Sequence, residues 1–175
     1  NLDDENINKR MLLSYNHQKS PMSSGAYIPS SDSYDQSIAY FMNSGYLGHD
    51  VDVALRYDNN ERLTAGKNYE DSAISFSANS IFSITDNLKY SVGYSHVSRS
   101  PNMAELFAAG KHGPTNRYEI GDSNLIREIT RNIDLGMDYN LKNTLISLDV
   151  YRNNTNNYIY LKDLGTTANL TGVQD

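Results

Sequence analysis

The sequence predicts an all-β fold: a sector of about seven antiparallel strands belonging to a larger transmembrane β-barrel. Three observations predict it. The stretches Leu88–His96 and Glu128–Asn140 alternate strictly between apolar and polar residues, with a loop of roughly thirty residues between them. Tight turns and long loops alternate along the chain, which is the rhythm of a barrel with short turns at one rim and long loops at the other. Tyrosine is abundant, at 14 of 175 residues with no Trp, and amphipathic rings gather where a membrane meets water.

The strands are expected over residues 8–16, 36–47, 50–58, 72–84, 88–98, 127–140 and 143–154. The first is carried by Lys9, Arg10, Met11, Leu12 and Leu13. The second places Ile38, Tyr40, Met42 and Tyr46 towards lipid. In the third, Val51, Val53, Leu55 and Tyr57 oppose Asp50, Asp52, Arg56 and Asp58. The fourth sets Ile74, Phe76, Ala78, Phe82 and Ile84 against Ser75, Ser77, Asn79 and Ser83. Tyr90, Val92, Tyr94 and His96 share the lipid face of the fifth. In the sixth, Ile129, Ile133, Leu135, Met137 and Tyr139 oppose Thr130, Asn132, Asp134, Gly136 and Asp138. The seventh opposes Ile146, Leu148 and Val150 to Ser147 and Asp149. Tight turns are expected at Gly48-His49, Asp86-Asn87 and Asn140 to Asn143, rich in residues that tolerate positive φ. Long loops are expected at 17–35, 59–71, 99–126 and from 155 onward, all at the opposite rim.

Composition is compatible and narrows the classes. The chain is 38% hydrophobic and 21% charged with a formal net charge of -6. No apolar run reaches the roughly eighteen residues of a membrane helix, whereas a barrel strand needs only about 9–11 with alternate ones facing lipid. The acidic balance argues against a nucleic-acid partner, which calls for clustered Lys and Arg. Seven strands cannot close a barrel, and unpaired strand edges in lipid cost several kcal/mol per group, so the sector is expected to join further strands. The polar start at Asn1, without a signal peptide, fits a piece of a longer polypeptide.

One long segment carries motifs. Arg99-Ser100-Pro101, then Ala104-Glu105-Leu106-Phe107, then Asn116 to Asp122, Leu125, Glu128 and Arg131 to Gly136 resemble TonB-dependent outer-membrane receptors. There an Arg-x-Pro strand end precedes a short Glu-Leu-Phe helix and a Gly-Asn-x-x-Leu-x-x-Glu turn. Here Asp122 stands for the usual Asn, Ile126 for Lys and Arg127 for Pro. Residues 109–121, with Gly110-Lys111-His112 and Thr115-Asn116, are most similar to the zinc-uptake receptors of that family, as is Tyr151-Arg152-Asn153 with Asn157 to Tyr160. The resemblance implies a 22-stranded barrel enclosing a plug domain that this chain lacks. It also implies a transporter in the bacterial outer membrane with its long loops outside, coupled through the plug to the TonB complex. Haem or siderophore cargo is the alternative to zinc. No resident cofactor is required, zinc being cargo.

His112 is the leading candidate zinc ligand, since a neutral imidazole binds zinc and a flexible Gly-Lys-His-Gly loop lets it turn towards the lumen. Glu119, Asp122, Glu105 and His17 are secondary candidates. Ile74, Phe76, Phe82, Val92, Tyr94, Ile133, Leu135 and Met137 are the residues expected to face lipid. An outer-membrane barrel enzyme would need a nucleophile and base at the rim, for which His96 with Ser98 is the one sequence-near pair. A β-sandwich adhesin would need short loops at both ends and a buried apolar face.

Overall fold

A computed structural model describes residues 6–20, 27–46 and 49–165. Its strands are β1 (Asn6–Ser20), β2 (Ser31–Tyr46), β3 (His49–Thr64), β4 (Lys67–Thr85) and β5 (Leu88–Arg99). After the short helix α1 (Met103–Phe107) come β6 (Ala109–His112), β7 (Arg117–Ile120), β8 (Glu128–Leu141) and β9 (Thr144–Asn156). Seven of the strands form one antiparallel sheet in the order β1-β2-β3-β4-β5-β8-β9, while β6 and β7 form a separate hairpin. Every neighbour in the large sheet is the next strand in sequence except across β5–β8, where residues 100–127 leave the sheet and return.

The register sorts the side chains cleanly. One rung joins Leu13, Ile38, Tyr57 and Ile74. Another joins Phe82, Tyr90, Met137 and Leu148. Because side chains alternate along each strand, these rungs and those between them make one apolar face. All eight residues expected to face lipid lie on it. Its side chains are open: Ile74 is 57% exposed and Leu135 53%, with no second sheet packed against them among the described residues.

The apolar band slopes across the sheet. On β1 its middle is Leu13, and on β9 it is Leu148. Followed to β4, those two rungs arrive at Ile74 and Phe82, so the band slips by about eight residues over six strand-to-strand steps. At about 3.3 Å per residue and 4.8 Å per step, that slope is about 40°. Transmembrane barrels tilt their strands by about 35–45°, so a band level with the membrane must cross the strands at this angle.

Several strands outrun their expected ends. The loop expected at 59–71 is instead the tip of a hairpin, with β3 and β4 joined through Ala65 and Gly66, whose φ is +79°. Asn59, Asn60, Glu61 and Arg62 are polar on both faces, so the alternation that betrays a strand in lipid disappears where the strand stands in water. The ladder persists because polar partners replace apolar ones: Arg62 Nη2 lies 2.6 Å from Asp35, and Asn60 donates to the same carboxylate at 2.8 Å. Likewise β1 runs on to Ser20 and β2 begins at Ser31, both inside the loop expected at 17–35. At the other rim Asp86-Asn87 turns as expected, and the last turn is Lys142-Asn143, with Lys142 at φ 52°. His49 opens β3, while Gly48 lies outside the described residues.

Candidate functional site

The opposite face of the sheet carries Asp52, Arg56, Asp134, Asp138 and Asp149, as expected. They are bonded within the wall: Asn43 donates to Asp52 at 2.8 Å, Ser147 to Asp138 at 2.6 Å, Arg56 grips Asp58, and Asn132 donates to Asp134. At the long-loop end this polar face is covered. Ser31, Ser33, Arg62 and Ser75, all on that face, are buried, whereas Asn43, Asp52, Asn79 and Ser83, on the same face nearer the short turns, are exposed.

The cover is the 100–127 excursion. Its own small core consists of Pro101, Leu106, Phe107 and Ala108, with Leu106 at 0% exposure. It docks on β4, where Lys67 Nζ stands 5.9 Å over the Phe107 ring and Arg127 Nε bonds Asp71 at 3.0 Å. Farther along, the Ala109 amide donates to the Tyr27 carbonyl at 2.8 Å. The extended β3–β4 hairpin is therefore the shelf on which the excursion rests. A concavity of about 440 Å³ lies on the polar face beneath, lined by Arg56, Asp58, Asn60, Arg62, Ser77 and Arg99 among others.

Residues scattered through the motif meet in one clasp. Arg99 Nε donates to Glu128 Oε2 at 2.6 Å, and its other nitrogens donate to Glu105 at 3.0 and 3.1 Å. Glu105 also accepts from the Asn102 amide at 2.8 Å, while Asn102 Oδ1 accepts from the Glu105 amide at 2.9 Å. This reciprocal cap starts α1. The Ile159 amide donates to the second oxygen of Glu128 at 2.6 Å, tying in the segment after β9. Arg99 holds the buried Glu128 carboxyl below its ordinary range against the opposing pull of burial, and the two carboxylates push the guanidinium further up. Gly121 closes the ring through its amide to Ala108 at 2.8 Å. A Cβ there would sit 2.6 Å from the Leu106 and Phe107 backbone, so no larger residue fits.

The β-barrel family described as TonB dependent receptor-like matches residues 6–174. The chain belongs to that family. Its members are outer-membrane receptors and transporters, and in a transmembrane barrel an apolar face meets lipid while a polar face lines the lumen. The motif's Arg, Glu and Gly positions thus clasp the excursion that docks on β4. No helix among the described residues is long and apolar enough to span a membrane.

Of the candidate ligands, the barrel brings two together. His112 and Glu119 share a face of the β6–β7 hairpin, with His112 Nδ1 2.8 Å from Glu119 Oε1. Thr115 Oγ1 lies 3.2 Å from the same nitrogen, and Tyr27 stacks on the ring at 4.5 Å between centroids. The others are placed elsewhere. Glu105 belongs to the Arg99 clasp, and Asp122 accepts from the Asn124 amide at 2.9 Å to shape its own turn. His17 points to the outer side of the wall, stacked on Tyr34 and 3.0 Å from Asp32. No group of three or more His, Cys, Asp or Glu gathers to hold a metal among the described residues. Tyr27 and Thr115 were not anticipated. Thr115 follows His112 closely enough to be suspected, but no pattern in the sequence links Tyr27 to a hairpin more than eighty residues on. His96 stacks on Phe76 at 5.4 Å on the lipid face, well separated in role from Ser98, whose amide bonds Ser75.

Proposed function

We propose that this chain is part of the wall of a receptor that captures a scarce nutrient at its long-loop end, outside the cell, with zinc as the favoured cargo. Transport inward is driven by TonB acting on a plug domain contributed by sequence beyond this sector. The observation that carries the reading is the His112–Glu119 pair, presented by the β6–β7 hairpin of the 100–127 excursion. An imidazole beside a carboxylate supplies two of the three or four donors a zinc ion takes, and the remainder would come from parts of the receptor outside this sector.

The test is calorimetric titration of zinc into the purified full-length receptor, with haem and an iron–siderophore complex as parallel ligands. Zinc should bind, and His112→Ala should weaken it by about tenfold or more, as first-contact ligands contribute at least what their supporting partners do. Affinity should fall as acid protonates the ring, since only a neutral imidazole coordinates. Zinc binding untouched by His112→Ala would remove the site. Haem or siderophore bound in preference to zinc would replace the cargo.

A further inference from the structure

We propose that the lipid face of β5, β8 and β9 at the long-loop rim binds a phosphorylated lipid head group through Arg131 and Arg152. Arg131 pairs across the sheet with His96 on one side and Asn154 on the other. Arg152 pairs with Ile133, one diagonal step from Arg131. Both guanidinium groups therefore project on the face that carries Tyr94, Ile133, Leu135 and Val150, not into the lumen.

Their surroundings set them apart from the paired arginines, and from Arg10, which stands over the Phe41 ring on the polar face, and Arg117, which lies on the β6–β7 hairpin. Arg56, Arg62, Arg99 and Arg127 each hold a carboxylate of this chain. Arg131 and Arg152 are exposed and hold none among the described residues. Their neighbours on the same face are Ile129, Ile133, His96, Asn154 and Val150, with no acidic residue among them. The outward acids of that rim, Asp32, Glu61 and Glu70, stand on β2–β4 instead. The rim's other outward cation with a long side chain, Lys19 on β1, lies 4.0 Å from Asp32, so Arg131 and Arg152 alone stand clear of those acids.

Depth selects the occupant. Arg152 lies four residues past Leu148, the middle of the band on β9. At about 3.3 Å per residue and a tilt near 40°, its backbone stands about 10 Å above mid-membrane, just within an apolar band about 25 Å tall. An arginine there runs its methylenes along the apolar edge and delivers its charge to the head groups. Two planar forks side by side match the oxygens of a phosphate, and an interface thinned of water strengthens the bond. The inference goes beyond nutrient uptake and does not depend on the cargo.

The probe is short-chain phosphatidic acid added to the purified full-length receptor in detergent, with retained lipid counted by native mass spectrometry. Short-chain phosphatidylcholine and inorganic phosphate are the comparison arms, and heat-modifiable gel mobility reports the folded barrel. Wild type and Lys162→Gln should retain phosphatidic acid over phosphatidylcholine. Arg131→Gln with Arg152→Gln should reduce retention by about tenfold, and the paired Lys variants by less, since charge remains but the fork is lost. Each single Gln variant should already show a loss, which keeps the test decisive if the double variant fails to fold. Unchanged retention in folded Gln variants, or equal retention of phosphatidylcholine, would overturn the proposal. Displacement of the lipid by an equal concentration of inorganic phosphate would also overturn it, by showing a free-phosphate site. Zinc titration on the same preparation reports the uptake reading separately.

Discussion

Leu135 on the wall is 53% exposed, while Leu106 in the 100–127 excursion is completely buried. The same residue type thus serves two solvents within one chain. In the wall, the apolar side chains are open on one face, as suits a sheet whose solvent there is lipid, and the sheet coheres through its ladders and cross-strand rungs rather than an internal core. The excursion stands in water and must build a core from Pro101, Leu106, Phe107 and Ala108, then fasten it with the Arg99–Glu105–Glu128 clasp. A barrel sector is therefore stabilised from outside, and its loop from inside. Substitutions that exploit this difference should separate the two regions.

The largest effect is expected at Leu106. Leu106→Ala should destabilise the excursion by about 2–5 kcal/mol, the range for emptying a packed core position. Hydrogen exchange should quicken over 100–127 while the barrel keeps its heat-modifiable mobility. Loss of the whole barrel instead would show that the two regions are not separable.

Slightly smaller effects follow on the wall. Leu135→Arg should cost about 2–4 kcal/mol in barrel stability in a bilayer, as for a cation near mid-membrane. Asp134→Arg, one residue away on the lumen face, should cost much less. Urea titration of both variants refolded into vesicles makes the comparison. Gly121→Ala should loosen the excursion by about 1–3 kcal/mol, because the added methyl meets backbone that cannot move aside. Limited proteolysis between Gly110 and Asp122 reads it.

The smallest effect concerns the clasp. Glu128 has its carboxyl held low in the folded state, so its contribution is complete above the ordinary carboxyl value of about 4.3 and fades as pH falls through the lowered one. Arg99 is 43% exposed, so solvent weakens the bond and the contribution is about 1 kcal/mol. Glu128→Gln should make cleavage of the excursion at neutral pH resemble that of wild type near pH 3, using an acid-tolerant protease for the latter. Wild-type cleavage that does not change below pH 4 would show that the clasp is not the fastening.

The difference between the regions also explains what the sequence disclosed. Wherever one face is apolar, as at Val92, Leu135 or Leu148, alternation exposed strand and face, while the pairing register came only with the structure. Past the lipid, Asn59 to Arg62 are polar on both sides, so a continuing strand looked like a loop. The motif around Arg99, Glu105, Gly121 and Glu128 marked the family, yet spacing gave no sign that its members meet in one clasp. His112 and Glu119 were both candidates, but so were Glu105 and Asp122. Only the four-residue pairing of β6 with β7 chooses among them. Tyr27 arrives through a tertiary contact that no local pattern encodes.

Neighbouring positions of β8 are assigned to opposite surroundings, 134 to the lumen and 135 to lipid. The chain has no Cys, so single nitroxide labels can be placed at 134 and 135 of the reconstituted receptor after any cysteines elsewhere in it are replaced. Relaxation by oxygen, which partitions into lipid, should be strong at 135 and weak at 134. Relaxation by a water-soluble nickel chelate should show the reverse. Equal accessibility at both positions, or the opposite order, would contradict the assignment of the two faces.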